Sequence, residues 1–80
     1  MVPKVILKQL YFNSVHLGQR LRQIPIPKDC YVLGLIRSSH LITVRENPIL
    51  QEQDWVIVVT AKEALVPELT VFLERCQVSS

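Results

Sequence analysis

Trp55-Val56-Ile57-Val58-Val59-Thr60 contains the longest uninterrupted apolar run of the chain, the five residues from Trp55 to Val59. The run is rich in β-branched and aromatic residues, which fit a pleated, covered surface. Side chains alternate along a strand, so Trp55, Ile57 and Val59 share one face while Val56 and Val58 share the other. Neither face carries a charge. The reading predicts a central strand covered on both sides, in which Trp55 is structural.

Upstream of this strand, Gln51 to Asp54 is polar, and Glu46-Asn47-Pro48 reads as a turn. Before it stand two further apolar runs, Cys30 to Arg37 and Leu41 to Arg45, separated by the polar break Ser38-Ser39-His40. Two strand-length runs with such a break predict a hairpin. Pro25 and Pro27 mark the end of an earlier short turn or helix, His16 to Gln23, since proline donates no backbone hydrogen bond and turns the preceding residue away from helix. Leu17, Leu21 and Ile24 recur there at helical spacing. Farther back, Lys4 to Val15 has apolar residues on both alternating faces and predicts a strand that is covered on each side or paired with another chain.

Downstream, Thr60 and Glu63 have the spacing of a capping box. Pro67 is tolerated in a first helical turn and disfavoured inside a helix. The expectation is a separate short turn followed by a main helix from Pro67, with Leu65, Leu69, Phe72, Leu73 and Cys76 on its apolar face. The element order is β-α-β-β-β-α. This is an α+β domain, a mostly antiparallel sheet of about four strands with a short helix and a C-terminal helix.

Eighty residues suffice for one domain, 1–80, and not for two. Because Met1 leads almost at once into strand residues, the chain reads as a piece of a longer protein. The hydrophobic share is 49%, more than one small core needs. A monomer seldom exposes a contiguous apolar patch beyond a few hundred Å², so the excess predicts a self-association surface and a homodimer, with the contact on the strand Tyr31 to Ile36 and its neighbours. No apolar run approaches the ~20 residues of a membrane-spanning helix, and the start lacks the pattern of a signal peptide. The chain as given is expected to be soluble.

The inventory argues against catalysis. No nucleophile elbow, glycine-rich phosphate loop or metal-ligand spacing occurs, so the expectation is a non-enzyme without cofactor or metal. Cys30 and Cys76 read as reduced, mostly buried small residues. His16 and His40 read as exposed loop histidines, and Ser38-Ser39-His40 as a turn. Aromatic residues are not interleaved with the basic ones as a nucleic-acid stacking platform requires.

Charge is strongly segregated. Residues 1–45 carry seven basic side chains against Asp29 alone, a net +6, and residues 46–80 carry Lys62 and Arg75 against six acidic side chains, a net −4. Arg37 and Arg45 each close one strand of the expected hairpin. With Lys28 from the rim they are the candidate ligand-binding residues, offering guanidinium forks to phosphate or carboxylate. Near a dimer axis the two arginines would become four around one cleft. The plain alternative is that they are solvated charges protecting strand ends.

Several segments, in order and at spacing, resemble a known family. They are Gly18-Gln-Arg-Leu-Arg-Gln-Ile24-Pro25-Ile26-Pro27-Lys28, Val32-Leu-Gly-Leu-Ile36-Arg37, Leu41-Ile42, Ile49-Leu-Gln-Glu-Gln-Asp54, Val56-Ile-Val-Val59 and Glu63-Ala64. Together, from about Gly18 to Leu69, they resemble the TrkA-C domain, the C-terminal regulatory module of bacterial potassium channels and transporters, antiporters and some chloride channels. Val44, Gln53 and Thr60 stand where the family has a common proline, the glycine of a glycine-aspartate turn and a frequent glycine. Glycine favours a positive φ that Gln53 tolerates poorly, so a different turn type is expected there.

The resemblance implies a cytoplasmic domain, attached to or associated with a membrane channel or transporter, that dimerises and senses a small ligand. Some members bind cyclic di-AMP through an isoleucine-arginine stretch, in place of which this chain has the shorter Ile24-Pro-Ile-Pro-Lys-Asp29. Joined to the charge pattern, it suggests an anionic small molecule or nucleotide as ligand. The alternative function is a purely structural dimerisation module without a ligand.

Overall fold

A computed structural model describes residues 2–78. Among these residues four strands form one sheet, β1 (Lys4–Gln9), β2 (Cys30–Arg37), β3 (His40–Thr43) and β4 (Trp55–Thr60), followed by a single α-helix, α1 (Val66–Glu74). Three short 3-10 turns connect them at Leu21–Gln23, Val44–Glu46 and Glu63–Leu65. The spatial order is β1-β4-β2-β3 with every neighbouring pair antiparallel. This is the small α+β fold that the sequence predicts, with the first helix reduced to one 3-10 turn.

β4 sits between β1 and β2, as its apolar composition requires. Its residues Val56, Val58 and Thr60 face a core shared with Ile6 of β1 and Cys30 and Leu35 of β2. Leu69, Phe72 and Leu73 of α1 cover that face, with Leu10, Leu21, Ile24 and Leu50 from the connections. Pro67 is the second residue of α1, where the first backbone N–H groups have no partner within the helix in any case. Helix and connections therefore close one side of the sheet.

The other side is not closed. Val5 and Leu7 of β1, Trp55 of β4, Tyr31 of β2 and Leu41 of β3 are all exposed, with Ile57, Val59 and Ile36 half-buried among them. This corrects the expectation that both faces of β4 are covered; of the two alternatives for the first strand, cover on each side is not met within the chain, and β1 is an edge strand of the sheet. Trp55 is 40% exposed rather than a core residue.

Local departures have identifiable causes. β1 ends at Gln9 instead of running to Val15, because the buried Leu10 leaves it to exchange backbone hydrogen bonds with the turn before β4. Leu10 N–H donates to the Asp54 carbonyl (2.8 Å), and the Leu10 carbonyl accepts from Gln53 N–H (2.7 Å). The Ser38-Ser39 turn of the hairpin has positive φ at both residues, 51° and 64°, the pattern of the two-residue turn whose twist suits paired strands. At Gly34, next to a bulge in β2, an added Cβ would meet the Ile42 carbonyl oxygen and lie 3.1 Å from Thr43 Cα. Only glycine lets β3 approach so closely there.

The capping box lies elsewhere than expected. Thr43 and Glu46 form it around the Val44–Glu46 turn, which ends β3 two residues before the expected Arg45. Thr60 instead donates from its hydroxyl to the Asp29 carbonyl (3.0 Å) and accepts from Lys62 N–H (3.1 Å). Gln53 adopts φ 75°, so the conformation expected to need glycine is taken up by glutamine.

Candidate functional site

The three residues singled out from sequence do not meet within one chain. Arg37 is the last residue of β2 and pairs with His40 at the start of β3. Arg45 lies beyond the far end of β3. In an antiparallel hairpin the end of the first strand and the end of the second are at opposite ends, about 15 Å apart for this length. Two forks at one hairpin mouth are therefore not formed. Lys28 stands just before β2, at the opposite end of that strand from Arg37, in a turn closed by Cys30 N–H donating to the Pro27 carbonyl (3.2 Å). Asp29 takes a positive φ of 68° there.

The guanidinium of Arg37 is occupied. Its Nε donates to Asp54 Oδ1 (2.9 Å) and its Nη2 to Asp54 Oδ2 (2.8 Å) and to the Ile49 carbonyl (2.8 Å). Asp54 is 1% exposed, and its Oδ2 also accepts from Gln51 N–H (2.8 Å). Hydrogen bonding to Asp54 holds Arg37 above its usual pKa range against a smaller opposing effect of burial. Fork and carboxylate thus fix the Gln51–Asp54 turn against the end of β2. Ser38, Gln51 and Gln53 line an open polar groove of about 420 Å³ beside the pair.

Lys28 and Arg45 are exposed and enter no ion pair among the described residues. Both belong to the end of the sheet where β1 and β2 begin, as does Lys4. Lys62 is also there, and its ammonium is held above its usual pKa by the hydrogen bond to Asp29 (2.8 Å). Nearby, Arg20 Nη1 donates to the Asn47 carbonyl (3.1 Å), and Arg22 N–H donates to Asn47 Oδ1 (3.0 Å), so that two further arginines stand by the turn that follows Arg45. Lys4, Arg20, Arg22, Lys28 and Arg45 are spread along this side, whereas Lys8 and Arg37 stand toward the other end of the strands, so the positive charge of residues 1–45 is not focused in one cleft.

Two expectations about chemistry-bearing residues are corrected. His16 is buried at 3% exposure, its Nε2 hydrogen-bonded to the Phe72 carbonyl (2.8 Å) and its ring tilted 43° against Phe72 at 4.7 Å. It ties the end of α1 to the loop after β1. Cys76 is exposed beyond α1, and only Cys30 is buried. His40 is exposed, as expected. Among the described residues no three of His, Cys, Asp and Glu come together as a metal set, and no helix is long and apolar enough to cross a membrane.

Sequence reasoning missed Asp54 and His16. The acid stands in a polar turn next to an apolar strand, and its pairing with Arg37, 17 residues away, leaves no local mark in the sequence. His16 leaves none either, because its partner is a backbone carbonyl 56 residues away. Compared with known proteins, the chain matches no family model and no curated protein sequence.

Proposed function

We propose that this chain is a non-catalytic regulatory domain that works as a homodimer, senses a small anion or nucleotide, and belongs to a cytoplasmic part of an ion channel or transporter. The observation that carries the reading is the one-sided sheet, whose uncharged apolar face is left open in the single chain. Such a unit is completed by association, and a ligand that favours one geometry of the assembly over another has a route to regulate an attached transport part. The resemblance of the Gly18–Leu69 segments to TrkA-C domains supports the same reading. Within it, Lys28 and Arg45 offer free positive charge to the ligand. Arg37 contributes by holding the Gln51–Asp54 turn.

The test is calorimetric titration with nucleotides, cyclic dinucleotides and inorganic anions at low and moderate salt, on the native protein and on Lys28→Ala and Arg45→Ala. Binding by the native protein, weakened by either substitution and by salt, is the expected result, since exposed charges are screened within ~10 Å at 0.1 M. An unchanged titration in both variants removes these residues from the site. Absence of binding by the native protein favours the second reading, a structural dimerisation module, which the open face supports equally.

A further inference from the structure

We infer that the open face of the sheet is a homodimer interface in which two copies stack face to face with their strands reversed, the basic end of one sheet over the Glu52 end of the other. This specifies the dimerising part of the proposed function and rests on it.

The face has the composition of an interior. Val5, Leu7, Tyr31, Leu41 and Trp55 are exposed on it, and no residue whose side chain alternates to that side is charged. A strand that faces water on one side normally alternates apolar with polar residues, and β4 presents Trp55, Ile57 and Val59 outward instead. A second copy suits such a surface, because an isologous contact places the patch on itself, and a patch without charge brings no like charges together. The molecule measures 39 × 32 × 20 Å. The thin dimension corresponds to one sheet and one covering layer, whereas a sheet packed on both faces has a second layer about 10 Å away.

Size and charge define the contact further. Four strands of about six residues span roughly 400 Å² in plan, from ~4.8 Å per strand and ~3.3 Å per residue. Two such faces with their rims approach the ~1,200 Å² at which specific interfaces begin. An interface at this lower limit of size is expected to dissociate reversibly on dilution. Lys4, Lys28, Lys62 and Arg45 stand at one end of the sheet, where they outnumber Asp29, Glu46 and Glu63, and Glu52, exposed and without an ion-pair partner among the described residues, stands at the other. Reversed stacking brings each basic end toward a Glu52. Stacking with like ends together would gather the positive charges.

The experiment is sedimentation equilibrium of the native protein and of Tyr31→Glu, Leu41→Glu and Glu52→Lys, with thermal unfolding of each as a control for folding. The native protein is expected to dimerise reversibly. The two face substitutions, at positions 64% and 62% exposed, are expected to weaken dimerisation at least tenfold while the protein remains folded. Glu52→Lys is expected to weaken it ~2- to 10-fold at low salt and not at high salt. A native monomer at every concentration overturns the proposal and leaves the face to a different partner. A dimer indifferent to both face substitutions also overturns it and points to pairing through the edge of β1 or β3. A dimer broken by them yet indifferent to Glu52→Lys overturns the reversed stacking. Failure of anion binding with dimerisation intact defeats the sensing function without touching this interface.

Discussion

The two faces of β4 are built from the same kinds of residue and meet different surroundings. Val56, Val58 and Thr60 are at most 1% exposed under α1 and the connections, whereas Trp55 is 40% exposed and Ile57 and Val59 are only half-buried on the other side. Hydrophobic character therefore does not distinguish the covered face from the open one. The chain supplies a covering layer for one face and leaves the other matched in composition to an interior. Its high hydrophobic content, 49%, is accounted for in part by that second face in addition to the core.

Truncation should separate the faces by size of effect. Leu35→Ala, on the covered side and fully buried, is expected to cost about 2–5 kcal/mol. Tyr31→Ala, on the open side, should stay within about 0.5 kcal/mol at concentrations where the protein is monomeric. Denaturant unfolding of dilute protein measures both. Equal losses would show that the open face is packed within the single chain and would end the distinction.

The next effect concerns how the sheet end is held. Arg37→Ala removes the fork from a carboxylate that stays buried and keeps only the Gln51 N–H, and breaking such a pair costs about 3 kcal/mol. Since Arg37 keeps partial contact with water, this is the lower end of the usual range. A shift in unfolding midpoint far smaller than that of Leu35→Ala would show that the pair can be given up to an outside ligand. A comparable shift keeps it structural.

The sequence reveals what depends on neighbours along the chain. β2 and β4 begin and end where their apolar runs do, and Pro25, Pro27 and Pro67 mark the ends of elements because their effect on the backbone is local. What depends on distant partners was not legible. Leu10 leaves the strand to pair with residues 53 and 54, His16 is buried by its bond to Phe72, and Arg37 is committed to Asp54. The candidate site was misread for the same reason. Arg37 and Arg45 are close in sequence, and antiparallel pairing sends them to opposite ends of the hairpin. Gln53 shows the reverse case, in which local preference disfavours a positive φ and the Leu10 and Gln9 hydrogen bonds to its backbone accompany it all the same.

Trp55 is the sole tryptophan of the chain and lies on the open face, which makes its accessibility the most direct measure of whether a second copy covers the sheet. Acrylamide quenching of its fluorescence should be weak at high protein concentration and rise severalfold on dilution, with a midpoint matching the dissociation constant from sedimentation. Quenching that is strong and independent of concentration, in protein that sediments as a dimer, would place the contact elsewhere and contradict the account.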